Sequence, residues 1–169
     1  MVSRTFVHSV SANLAYWRRR AMATDTEGLA ALHKERHNLY RAIEAGLALD
    51  TTWRPAAELS LALRTLFEHY GYHQEWIDLL TRVLDRCPES DRILKARLIY
   101  ELGLFLRLER RLDQARQRMN QALSLLDGDQ PTMEAGMHHG LSTTYYHLRQ
   151  YDLAEEHGRR ALSIFQENP

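Results

Sequence analysis

The stretch ARLIYELGLFLRLERRLDQARQRMNQAL, residues 96–123, decides the fold. Its apolar and small residues fall three and four apart: Ile99, Leu102, Gly103 and Leu106, then, beyond the charged residues at 109–111, Leu112, Ala115, Met119, Ala122 and Leu123. That spacing describes one face of a helix, twice over. A short polar link between two such helices makes an antiparallel hairpin. Shifted by 39 residues the pattern returns: Ala135, His138, Leu141, Ser142 and Tyr145, then Tyr151, Ala154, Gly158, Ala161 and Leu162. Shifted back by the same interval it returns more weakly, as Ala57, Ser60, Leu63, Arg64 and Phe67, then His73, Trp76, Leu80, Val83 and Leu84. Helices approach closely only where one of them presents a small residue, here Gly103 or Ser142 opposite Ala115 or Ala154. Each hairpin then leaves an apolar flank that only a neighbour can cover, so stacking follows.

Working outward, helical spacing predicts eight helices, near 9–23, 25–49, 55–70, 73–87, 91–108, 112–127, 131–148 and 151–166. Thr24 and Asp25 read as a stop followed by an N-cap, Ser90 as a cap, and Pro55 and Pro131 as first-turn residues. Pro88 forbids continuation, and Gly71 sits where a helix end needs a left-handed residue. Eight Gly and four Pro in 169 residues are too few breakers for an all-β chain.

Composition narrows the function. Lysine and arginine total 22, as do aspartate and glutamate, so no whole-chain field draws the protein to nucleic acid or anionic lipid. Cys87 is the single cysteine. It provides neither a disulfide framework nor a metal knuckle, and a reducing compartment, the cytoplasm, is expected. Charges interrupt every apolar segment short of the roughly 18 residues that a membrane span requires. The opening MVSRTFVHSVSANLAYWRRR places its arginines after its apolar residues, the reverse of a secretory signal, and reads as helix of the mature chain.

At Leu102-Gly103, Ala115 and Ala122 the chain resembles the tetratricopeptide repeat, whose signature is a large residue, Leu-Gly, Tyr, then Ala, Phe and Pro. Ile99, Leu106 and Met119 replace aromatics there; the last repeat departs at His138 and Gly158, and the first carries Arg64 and Trp76 where small residues are expected. The interval of 39 exceeds the family's period of about 34, an excess assigned to longer helices or to linkers at 88–95 and 127–134. The resemblance implies an all-α, right-handed α–α superhelix, a solenoid of about four helical hairpins. Its expected organisation is an atypical N-terminal hairpin over 1–54, then three repeats over 57–90, 96–129 and 135–168 within 55–169, in one continuous array.

A second resemblance rests on Leu32, Glu35, Asn38, Leu39, Ala42 and Ile43, followed by Ala57, Leu59, Leu63, Phe67, Gly71, Glu75 and Leu80. This run is similar to the helical segment after the nucleotide-binding module of bacterial STAND ATPases and related transcriptional activators. There a Glu-x-x-Asn-Leu helix begins a sensor arm that tetratricopeptide repeats continue. The resemblance implies a sensor or scaffold part of a bacterial signalling regulator. No GxxxxGK[ST] loop occurs in these residues, so it implies no ATP binding here.

The candidates for chemistry are thin. His33 and His37 stand four apart, but Lys34 follows the first His where a metalloprotease helix needs Glu, and no third ligand is evident. His138, His139, His147 and His157 crowd the last repeat, yet helical periodicity separates 138 from 139 and argues against one ligand set. His69 and His73 flank a turn. Arg18, Arg19 and Arg20 point about 100° apart and read as a solvated face. Cys87 lacks an activating neighbour and reads as structural, and Trp17, Trp53, Trp76, Tyr70 and Tyr72 read as packing residues.

These readings point to a protein- or peptide-binding module with no enzymatic activity and no cofactor or metal. The runners-up are a homodimeric structural adaptor and, behind it, a metal-dependent enzyme on a helical scaffold. The expected binding surface is the outward face of each repeat's first helix: Leu61, Thr65 and Glu68; Tyr100, Leu104 and Arg107; His139, Thr143 and Tyr146. Leu104 is expected there as an exposed apolar contact. An apolar flank is also expected beyond Ala154–Ile164, covered by self-association or by continuation of the chain.

Overall fold

The computed structural model describes residues 3–23, 25–128 and 130–168; Thr24, the expected helix stop, lies outside them. Regular structure among the described residues is entirely helical and forms two compact units, one up to Cys87 and one from Pro88 onward. The first holds α1 (Arg4–Met22), α2 (Thr26–Lys34), α3 (Arg36–Leu47), α4 (Trp53–Ala62), α5 (Arg64–His69) and α6 (His73–Arg86). The second holds α7 (Arg92–Leu108), α8 (Leu112–Ser124), α9 (Pro131–His147) and α10 (Tyr151–Glu167).

Among the described residues ten helices stand where eight are expected, because two long ones are interrupted. The helix expected over 55–70 breaks at Leu63, whose amide is shared between the carbonyls of Leu59 and Ser60 at 3.2 and 3.1 Å. One turn earlier the buried Ser60 hydroxyl donates back to the Ala56 carbonyl at 2.9 Å, a bond that bends helices. The helix expected over 25–49 breaks at Glu35, whose amide tightens onto Leu32 at 3.0 Å. Its carboxylate accepts from the Asn38 amide at 2.7 Å across the break. Elsewhere α1 starts at Arg4, earlier than expected, because the Ser3 hydroxyl accepts from the Phe6 amide. Asp25 caps α2 by accepting from Gly28 at 2.9 Å. Asp91, not Ser90, occupies the N-cap of α7.

The interval of 39 is visible in the backbone. Trp53, Arg92 and Pro131 open the first helices of successive hairpins, and His73, Leu112 and Tyr151 open the second. Between them the same helix end recurs three times. Gly71, Arg110 and Arg149 all take the left-handed conformation, at φ of 71°, 61° and 61°. At each, the next amide reaches back to a carbonyl five residues earlier: Tyr72 to Phe67, Arg111 to Leu106 and Gln150 to Tyr145, each at 2.9 Å. That is the Schellman closure of a helix, and glycine suits its left-handed position best.

Burial follows the register too. Ala57, Ala96 and Ala135 are fully enclosed, as are Leu59, Leu98 and Met137. In the second unit α7 packs on α8 through Gly103, where an added Cβ would lie 2.9 Å from Met119 Cγ and 3.3 Å from the Ala115 carbonyl oxygen. In the next hairpin Ser142 holds the matching place, and its hydroxyl donates to the matching carbonyl, that of Ala154, at 2.7 Å. The first unit has no such crossing: half-buried Arg64 and fully buried Trp76 hold these positions, and the helix breaks beside them. Its close approach lies elsewhere. Gly46 brings α3 against α1 and α4, with an added Cβ only 2.7 Å from Ala56 Cβ and 2.8 Å from Leu14 Cδ1. The buried Thr52 hydroxyl fixes the turn after α3 by donating to the Gly46 carbonyl at 2.8 Å.

Three substitutions test this construction by urea denaturation. Gly46→Ala is expected to destabilise the protein by about 1–3 kcal/mol, the cost of overpacking a closed crossing. Arg110→Gly and Arg149→Gly are each expected to stabilise it by about 1 kcal/mol, because they relieve a left-handed L-residue.

Candidate protein-interaction surface

The nine residues expected on a binding face fall in different settings. Leu61, Thr65 and Glu68 belong to the first unit, where Leu61 is buried while Thr65 and Glu68 are exposed and Glu68 pairs with Arg64. The other six belong to the second unit, on α7 and α9. Tyr100 is half-buried: its hydroxyl donates to the Gly136 carbonyl at 2.7 Å, and its ring edge lies 2.9 Å from where a Cβ on Gly140 would stand. It seats α9 on α7. Leu104, expected as an exposed apolar contact, is only 7% exposed. It lies one turn beyond Tyr100, on the stripe of α7 that meets the next hairpin, so packing claims it.

The matching stripe of α9 holds His139, Thr143 and Tyr146. His139 and Tyr146 are exposed and Thr143 is half-buried. Tyr146 borders a groove of about 600 Å³ between α9 and α10, floored by Ser142, Ala154 and Gly158 and walled by Tyr146, Tyr151 and Leu162, with Glu155 and Arg159 at its edge. Tyr146 and Tyr151 meet edge to face at 5.7 Å. Leu162 and Tyr151 are each 58% exposed. The register points to this groove: Tyr151 and Leu162 stand 39 residues after half-buried Leu112 and Leu123.

On the other side of this hairpin the structure brings together two of the crowded histidines. His138 of α9 and His157 of α10 face each other with their Nδ1 atoms 2.8 Å apart, and Tyr145 stacks on His157 at 5.3 Å. A contact of that kind needs one protonated and one unprotonated Nδ1, so at least the accepting ring is neutral. Burial, then the neighbouring His157 and Arg160, lowers the pKa of His138 against the opposing pull of Glu134 and Glu156. Burial also lowers that of His157, against Glu156. His139 and His147 are exposed.

In the first unit the four-residue pairing of His33 with His37 is lost, because the helix breaks between them. His33 stacks on Tyr70 at 4.0 Å and on Tyr72 at 5.8 Å, and the Arg36 guanidinium lies 4.1 Å from the Tyr72 ring centroid. Tyr40, raised in pKa by burial and then by Glu75, donates to that carboxylate at 3.3 Å. Among the described residues no group of three or more His, Cys, Asp or Glu is arranged to hold a metal ion. The arginine run separates as periodicity requires: Arg18 pairs with Glu58 at 2.7 Å, Arg20 lies over Tyr16 and Trp17, and Arg19 is exposed. Trp17, Trp76 and Cys87 are buried. No described helix is long and apolar enough to cross a membrane.

Helical hairpins in a fixed register, closed in the second unit at small-residue crossings, define the fold of a tetratricopeptide-type helical solenoid. Solved structures of such proteins share the fold. The apo form of RapI aligns at a TM-score of 0.76 with 11% identity, over 92% of this chain and 57% of RapI. BtubC from P. vanneervenii aligns at 0.67 with 19% identity, over 96% of this chain and 73% of BtubC. MamA aligns at 0.54 with 18% identity, over 91% and 87%. The chain therefore spans little more than half the length of RapI. No family model matches the sequence, and no curated protein does.

The histidine pair gives a pH dependence of known sign. Both folded-state pKa values lie below the ordinary imidazole value, so the unfolded chain binds more protons just below about pH 6.5. Stability from this pair is complete above that pH and falls as pH drops toward the folded values. The urea midpoint of the wild type is expected to fall between about pH 7.5 and about pH 5.5 by more than that of a His138→Gln/His157→Gln variant. Parallel midpoint curves for the two proteins would contradict it.

Proposed function

We propose that this chain is a protein- or peptide-interaction module that recognises its partner through the exposed stripes of its helical hairpins. The observation that supports the reading most is the register. Side chains 39 residues apart occupy equivalent places, so chemically different residues are presented on one repeated frame, a construction suited to spreading recognition over a face. Arg107, His139 and Thr143 are the contacts assigned to the second unit, and Thr65 and Glu68 to the first. Tyr146, exposed on the same stripe of α9, stays in the contact set, while Leu61, Tyr100 and Leu104 serve packing and are removed from it.

We further propose that the module is the sensor or scaffold part of a bacterial signalling or transcriptional regulator. The Glu35-x-x-Asn38-Leu39 segment supports that reading: the first two side chains bond one another and Leu39 is buried at the head of α3.

The test is recovery of a specific partner from the source cell. Wild-type protein is expected to retain it, and an Arg107→Glu/His139→Glu variant with unchanged helical circular dichroism is expected to lose at least about tenfold of the bound material, as when interface anchors are removed. Equal recovery by both proteins would remove this face from the reading.

A further inference from the structure

We propose that the groove between α9 and α10 seats a second copy of the same chain, with α10 packing antiparallel on α10 across a two-fold axis near Gly158. The inference goes beyond the partner-binding reading and does not rest on it. Its basis is the outer stripe of α10. Tyr151, Glu155, Gly158, Leu162 and Phe165 recur at alternating intervals of four and three, the spacing of a helix–helix seam. Tyr151, Leu162 and Phe165 are 58%, 58% and 48% exposed.

The stripe is matched to itself. In an antiparallel pair centred on Gly158, residues equally far before and after the centre face each other. Phe165 then meets the partner's Tyr151, aromatic against aromatic. Leu162 meets the partner's Ala154, a knob over the small-residue floor, and the two chains cross near Gly158, whose missing Cβ would lie 3.2 Å from Ser142 Oγ of α9. The charges also match under this symmetry. Glu155 and Arg159 pair within one chain on the exposed edge of the groove, and the same two-fold brings each within a turn of its opposite in the partner. An isologous interface requires this combination of self-complementary shape and charge.

The register supplies the second observation. In the preceding hairpin the matching surface is covered by protein: Thr144 of α9 donates to the Met119 sulfur at 3.4 Å, and Tyr100 is seated against α9. On the last hairpin the matching surface carries Tyr151, Leu162 and Phe165 exposed, beside the Glu155–Arg159 pair.

Sedimentation equilibrium across a concentration series tests the proposal. Wild type is expected to approach the mass of two chains. Leu162→Glu is expected to raise the dissociation constant by more than about tenfold, the usual loss when an apolar anchor is replaced by a charge. A second set guards against misfolding: Glu155→Arg should weaken the dimer, and Glu155→Arg/Arg159→Glu should restore it. The Arg107→Glu/His139→Glu variant should dimerise like wild type, which separates failure here from failure of the partner-binding face. A single-chain mass for wild type at every concentration, or a Leu162→Glu protein that dimerises unchanged, would overturn the proposal.

Discussion

In each hairpin of the second unit, one helix must bring its backbone so close to another that a carbonyl oxygen stands where a side chain would ordinarily be. At Gly103 the chain meets this by omitting the side chain opposite the Ala115 carbonyl. At Ser142 it keeps a side chain small enough to donate a hydrogen bond to the equivalent carbonyl of Ala154. Both solutions bring the helix pair together without leaving a buried acceptor unpaired or a void beneath it. The remaining contacts follow: Met119 can lie against Gly103, Tyr145 can stack on His157, and Tyr100 can reach Gly136.

The first unit shows what happens when that constraint is absent. With Arg64 and Trp76 at the crossing, the first helix of the hairpin divides at Leu63 into α4 and α5. Close packing moves instead to Gly46, which lets α3 touch α1 and α4 together. The turn that follows, at Gly71, is nevertheless the one repeated at Arg110 and Arg149. Turn geometry has outlasted the residue best suited to it, because the carbonyls at a helix end need partners whether or not glycine is available.

Function in such a fold belongs to what the stacking leaves uncovered. Tyr100 and Leu104 look like recognition residues by type, but they sit on the stripe that receives the next hairpin. Their equivalents on α9 remain in contact with solvent. The groove beside them joins exposed aromatic and aliphatic side chains to a floor of Ser142, Ala154 and Gly158. On the reverse side of the same hairpin, a histidine pair ties α9 to α10 and makes that contact sensitive to acid.

The all-helical fold, the hairpin unit, its interval of 39 residues and the small-residue crossings at Gly103 and Ser142 were all legible in the residues, because helical periodicity and side-chain size act locally and repeat. The breaks at Glu35 and Leu63 were not. They depend on where Ser60 and Asn38 place their hydrogen bonds once the helices are packed. The crossing at Gly46 and the meeting of His138 with His157 join residues whose proximity no local spacing records. Burial of Leu104 beside the exposure of Tyr146 was likewise decided only by tertiary structure: the two stripes are equivalent in sequence, and they differ because α9 covers one of them.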